Sequence, residues 1–190
     1  MVLPQFLILK KIIKFKYMDN KFKNFKLKVE KLSNHFNAKN YKFVIQQVNI
    51  LLKKQPNNQF ILNLLGSSYH RLGDLNTAKK VFSRAIAVDN NSCAALNNLA
   101  NVYKDLNENK LAEELYIKIL KINPNYINTI NNYAGLNFKL NKYEEALHYY
   151  KKALAIDNKN ALVHYNIALV YQSLGNFKEA LFHYKEVLKI

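Results

Sequence analysis

The chain is 190 residues long and holds few of the residues that define several protein classes. Cysteine occurs once, at Cys93, which excludes an internal disulfide framework and suits a reducing compartment. A cytoplasmic location is the expectation that follows. Glycine occurs four times and proline three times, too few for collagen-like or low-complexity chains. No Gly-rich phosphate loop is present. Arginine is nearly absent: of 29 basic residues only Arg71 and Arg84 are Arg. Phosphate and base recognition favour the planar, bidentate guanidinium, so specific nucleic-acid binding is not expected despite a net charge of +16. Lys, Asn, Ile, Tyr and Phe share A/T-rich codons, and a genome-wide codon bias would account for much of that charge.

Long apolar runs are also missing. Near the N-terminus the longest run, Phe6 to Leu9, is cut by Lys10 and Lys11. A membrane-spanning helix needs about 20 apolar residues. A secretory signal carries its positive charge before the apolar stretch and small residues after it; here the lysines follow and no cleavage site is seen. Three readings of residues 1–17 stay open: an upstream extension, with translation starting at Met18; a basic amphipathic segment making weak contact with a membrane surface; or a tail. The charge is concentrated at this end. Residues 1–58 hold 13 Lys against Asp19 and Glu30, and residues 59–190 hold 16 basic and 11 acidic side chains.

What is present is a phrase that returns every 34 residues. Leu64-Leu65-Gly66, Asn98-Leu99-Ala100, Asn132-Tyr133-Ala134 and Asn166-Ile167-Ala168 occupy one register. A fixed period of this size means stacked units. Each unit contains two helical patterns. In the first unit Leu62, Leu65, Tyr69 and Leu72 recur at helical spacing, and Ala78, Val81, Phe82, Ala85 and Val88 follow. Between them Gly73 suits a left-handed C-cap. Asn107, Asn141 and Gly175 take that place in the later units, and Asn is the usual substitute for Gly at positive φ. Small residues form two rows, Gly66, Ala100, Ala134 and Ala168, then Ala78, Ala112, Ala146 and Ala180. Large residues stand at fixed offsets from them: Tyr69, Tyr103 and Tyr171, then Phe82, Tyr116, Tyr150 and Tyr184. Small opposite large is how a helical hairpin packs to interior density.

These residues resemble the tetratricopeptide repeat over 59–190. The resemblance implies an all-α fold, a right-handed α-solenoid of stacked antiparallel helix pairs. The units run 59–92, 93–126, 127–160 and 161–190, the last incomplete. Residues 25–58 read as a degenerate capping repeat, and 1–24 as a basic tail or helix. Departures from the family pattern, among them Asn137 for an aromatic and Ile119 and Val187 for small residues, are expected to repack locally. The array breaks off inside the second helix of its fourth unit. That fits a fragment, or the front arm of a longer protein.

Repeat arrays present surfaces, so the expected role is a protein-interaction scaffold holding an extended peptide segment of a partner. In this family the first helix of each unit lines the inner groove. Asn98, Asn132 and Asn166 lie 34 apart and are expected to stack as a ladder, with Asn63, Asn97 and Asn131 in a neighbouring row. An amide offers donors and an acceptor to a peptide backbone. A similar ladder in protein O-linked N-acetylglucosamine transferases makes a substrate-recruiting arm of a glycosyltransferase or sulfotransferase the alternative. Arg71, Lys104 and Lys139 are candidate groove charges, one per unit. No catalytic, cofactor or metal set is expected. The five His residues form no His-Glu-x-x-His motif, and His148 and His183 read as helix-surface residues.

Overall fold

The computed structural model describes residues 23–190, which form ten helices and no strand among the described residues. Helix α1 covers 23–37 and α2 Tyr41–Lys54. There follow α3 Gln59–Arg71, α4 Leu75–Val88, α5 Cys93–Asp105 and α6 Asn109–Ile122. The series ends with α7 Ile127–Lys139, α8 Tyr143–Ile156, α9 Ala161–Ser173 and α10 Phe177–Lys189. The readings of the N-terminal segment lie on residues outside the described ones, apart from its last two. No described helix is long and apolar enough to cross a membrane.

One turn closes every hairpin. Gly73 (φ 81°), Asn107 (62°), Asn141 (59°) and Gly175 (75°) all sit in the left-handed region. The next amide reaches back over the helix end: Asp74 N–H donates to Tyr69 C=O at 3.0 Å and Glu108 to Tyr103 at 2.8 Å. Lys142 donates likewise to Asn137 and Asn176 to Tyr171, both at 2.9 Å. Each bond satisfies a carbonyl that the end of the helix would otherwise leave open. Lys39 (φ 61°) does the same in the first hairpin, with Asn40 N–H on His35 C=O at 2.9 Å. That turn carries neither Gly nor Asn at the strained position, so its sequence gives no signal. Helix starts are capped where Asn58, Asp74, Ser92 and Asn160 accept from the backbone N–H three residues on.

Successive helices pack in order along the chain, and α3 also touches α5, α5 touches α7, and α7 touches α9. No such contact joins α4 to α6 or α6 to α8. The first helices therefore lie on the inside of the curve and the second helices on the outside. Within each hairpin the small row meets the aromatic row. Gly66 approaches the ring of fully buried Phe82 so closely that a Cβ there would stand 2.6 Å from it. Tyr116 is fully buried, and its hydroxyl donates to Asn101 Oδ1 at 2.6 Å.

The third unit repacks. Tyr133 takes the register of Leu65, Leu99 and Ile167, while Asn137 takes that of Tyr69, Tyr103 and Tyr171. Tyr133 fills space between Tyr116 (5.9 Å between ring centres) and Tyr149 (4.7 Å). Its hydroxyl donates to Glu113 Oε1 at 2.8 Å. Buried Asn137 turns its amide back onto Tyr133 C=O at 3.0 Å. A large residue has moved one turn along the helix, and a small polar one fills its former place.

Candidate functional site

The concave surface is built by α1, α3, α5, α7 and α9. A cleft of about 430 Å³ opens on it, lined by Phe36, Ser67, His70, Arg71, Asn98, Asn101, Lys104, Asp105 and Asn132. Four of the residues singled out from sequence meet there: Arg71, Asn98, Lys104 and Asn132.

The two Asn rows do not form separate ladders. They pair diagonally, each amide reaching one unit back. Asn98 Nδ2 donates to Asn63 Oδ1 at 3.4 Å, Asn132 Nδ2 to Asn97 Oδ1 at 3.1 Å, and Asn166 Nδ2 to Asn131 Oδ1 at 3.5 Å. Every pair is separated by 35 residues, one more than the repeat. The same offset joins His70 Nε2 to Asp105 Oδ2 at 2.7 Å, and Lys139 Nζ to Lys104 C=O at 2.8 Å. It is the register in which one first helix lies on the next. Asn97 is buried, and its Oδ1 also accepts from Thr129 Oγ1 at 2.9 Å, so it ties α5 to α7 rather than lining the groove.

The donor row keeps capacity. An amide has two N–H groups and a carbonyl. Asn98, Asn132 and Asn166 each spend one N–H, and among the described residues their carbonyls accept nothing. One donor and one acceptor per repeat remain on a part-exposed side chain.

The electrostatics are asymmetric. Arg71 is exposed, and Lys139 bonds only neutral oxygens, Lys104 C=O and Asn107 Oδ1 (2.7 Å). Burial pushes the Lys104 ammonium below the ordinary lysine range; Asp105 opposes this and Lys139 adds to it. The nearest carboxylate, Asp105, is held by His70. The sequence reading missed Phe36, Ser67, His70, Asn101 and Asp105. The signal was available: Ser67 and Asn101 share one register, and His70 and Asp105 show the 35-residue offset.

His183 corrects its surface assignment. It is half-buried, and its Nδ1 lies 2.9 Å from Nδ1 of buried His164. His164 Nε2 lies 3.2 Å from Asn158 C=O. A carbonyl only accepts, so in the neutral pair His164 carries its proton on Nε2 and His183 donates from Nδ1. His148 is exposed. No described group of His, Cys, Asp and Glu is arranged to hold a metal ion.

Stacked antiparallel hairpins with first helices lining a groove define an α-solenoid of helical repeats. Comparison with known proteins gives the family. Residues 28–146 match the family described as "Psidin, N-terminal TPR repeats region". Residues 136–175 match a TPR repeat and residues 161–190 the tetratricopeptide repeat. The chain belongs to the tetratricopeptide repeat family. Arrays of this family are protein-interaction scaffolds. Among solved structures it is similar to TTC0263, a thermophilic TPR protein of Thermus thermophilus, with a TM-score of 0.77 and 19% identity, covering 85% of this chain and 88% of that one. It is also similar to MamA, with a TM-score of 0.67 and 21% identity over 83% of this chain and 92% of that one. At these identities the likeness is one of fold. No curated protein matches the sequence.

Proposed function

We propose that the chain is a scaffold whose concave face holds an extended peptide segment of a partner protein, gripped largely through the segment's backbone. The observation that carries this reading is the diagonal Asn strip. Pairing across repeats fixes each donor-row amide, and each keeps one N–H and one carbonyl. That is the complement of a peptide unit, repeated once per hairpin. Fixed side chains lose little entropy on binding, which favours affinity. Arg71 and Lys104 beside the strip add attraction for carboxylates. The single cysteine suits a reducing compartment, and we place the interaction in the cytoplasm.

The test begins by selecting peptides from a phage-displayed random 16-mer library against the whole chain. Their affinities are then measured by fluorescence polarisation. Changing Asn98, Asn132 and Asn166 together to Ala is expected to weaken binding about tenfold or more, with circular dichroism confirming the fold. Unchanged affinity in the folded variant removes the ladder from the site.

A further inference from the structure

We propose a second binding surface on the side of the array away from the groove: the outer face of the second helices docks on an anionic lipid surface. It stands or falls independently of the groove reading.

Residues 49, 50, 53 and 54 of α2 recur at the repeat period as 83, 84, 87 and 88 on α4, 117, 118, 121 and 122 on α6, and 151, 152, 155 and 156 on α8. At about 100° per residue each set of four spans about 140° of its helix. Buried Val48, Phe82, Tyr116 and Tyr150 occupy the opposite side. All sixteen positions are exposed except Lys152, which is half-buried. They form one outer strip across four parallel helices, over the C-terminal half of each.

The strip is one-sided in charge. It holds two cations on α2, one on α4, two on α6 and two on α8, and no carboxylate. None of these seven is in an ion pair among the described residues. Arg84 donates to a neutral oxygen, Pro56 C=O. The helix dipole accounts for Lys53, Lys54 and Lys121, which stand in last turns. It does not account for Arg84, Lys118, Lys151 and Lys152, a turn or more before their helix ends. The Glu residues of α6 and α8 all lie in the first halves of those helices. Asp89 and Asp157 follow the strip, and each already holds two local donors: Gln59 Nε2 and Asn91 N–H on Asp89, Lys159 N–H and Asn160 Nδ2 on Asp157. Two engaged carboxylates against seven unpaired cations leave this edge strongly basic.

Between the cations stand Ile50, Val88, Ile117, Ile122 and Ile156, each between 39% and 52% exposed. Unpaired lysines interleaved with exposed branched side chains suit a bilayer. The ammonium groups meet anionic headgroups, and the aliphatic side chains enter the boundary between headgroups and acyl chains. A nucleic acid would use the same cations but give the aliphatic residues no role, and the strip has one Arg and no aromatic ring for stacking. The strip ends at α10, where Glu186 enters one of the four registers and pairs with Lys189 at 2.6 Å. The groove lies on the other side, so a chain docked this way keeps its concave face open to a partner.

The test titrates the whole chain with vesicles of phosphatidylcholine, with and without phosphatidylserine, and measures bound protein by sedimentation. The expected result is binding to the anionic vesicles alone, weakening as salt rises. Lys118→Gln/Lys121→Gln/Lys151→Gln should weaken it about tenfold or more. Ile117→Ser/Ile122→Ser/Ile156→Ser should weaken it about fivefold or more. All six side chains are exposed, and circular dichroism checks the fold. If the aliphatic triple variant loses helicity, Ile117→Ser alone takes its place, with about a twofold loss expected. A wild-type chain that ignores anionic vesicles overturns the proposal. So does binding that neither variant weakens, which puts the contact elsewhere, as on the Lys-rich N-terminus. Loss with the lysine variant alone marks a general polyanion surface, open equally to a single-stranded oligonucleotide, and loss with the aliphatic variant alone marks an apolar site; either one overturns the lipid reading.

Discussion

Gly66 and Gly135 both lie inside first helices, and replacing each by alanine should move stability in opposite directions. In an exposed helix interior Gly to Ala gains about 0.8–1 kcal/mol. At Gly135 nothing opposes that gain, since the new Cβ would meet only Tyr150 Oη at 3.5 Å, an ordinary contact. At Gly66 the new Cβ would lie 2.6–2.8 Å from three atoms of the Phe82 ring. Carbon contacts settle near 3.5–4.0 Å, so the ring must retreat by about 1 Å. Phe82 is fully buried against Ala78, Leu99 and Val102 and has no free end to swing. Overpacking of this kind costs about 1–3 kcal/mol. With a rigid ring the upper part of that range applies, and Gly66→Ala should lose about 1–2 kcal/mol net. Gly135→Ala should gain about 0.5–1 kcal/mol. Urea titration followed by circular dichroism measures both, provided the slope is unchanged. Adding Phe82→Leu should shrink the cost of Gly66→Ala, since the partner ring is then gone. Two alanine variants of equal stability would show that small opposite large does not set the hairpin spacing.

The exchange in the third unit should show as coupling: Tyr133→Leu and Asn137→Tyr each destabilise by about 1–3 kcal/mol, and together by less than their sum. Additive losses in urea titrations would refute that exchange. Burial, with His164 adding to it, holds His183 below its ordinary value of 6.5, while Glu186 opposes and Lys151 assists. The unfolded chain then binds the proton more readily. The contribution of His183 is complete above pH 6.5 and is lost as pH falls through its lowered folded value. Thermal midpoints measured from pH 8 down to 5.5 should fall less steeply in His183→Gln, and identical slopes would contradict the pairing. Burial raises Tyr150 to about 12 and pushes Tyr116 and Tyr133 higher still. Absorbance titration of the 13 tyrosines should therefore leave a late fraction that ionises only as the fold opens. For these phenols stability is complete below about pH 10 and lost as pH rises through the folded values. Titration of all tyrosines in one step near pH 10 would rule this out.

Much of the fold was legible because the repeat forces the same local problem to be solved several times. A left-handed residue must end each first helix, and Gly73, Asn107, Asn141 and Gly175 announce it. Lys39 holds the same conformation unannounced, because the hairpin's bonds impose it where the residue does not favour it. The aromatic and small rows were legible for the same reason: packing density constrains size at a fixed register. His164 and His183 were not. A single polar pair 19 residues apart repeats nowhere, so no periodicity exposes it.

The candidate site shows where periodicity misleads. Residues 34 apart occupy equivalent places in successive hairpins, and equivalent places are not neighbouring places. Contact between units is set by how one first helix lies on the next, and here that offset is 35. A ladder read at 34 lines up Asn98, Asn132 and Asn166 as like residues. A ladder built at 35 pairs each with an unlike one and consumes half its amide donors. The proposed function rests on the remainder. The row at 63, 97 and 131 accepts and anchors; the row at 98, 132 and 166 donates once and keeps an N–H and a carbonyl. The stacking bond therefore holds each amide in place. A substitution in the accepting row should then weaken peptide binding without touching the peptide. Asn63→Ala frees the Asn98 amide to rotate, and its effect on affinity should vanish in a chain that already carries Asn98→Ala. If the two losses simply add, the accepting row meets the peptide itself and the division of labour between the rows is wrong.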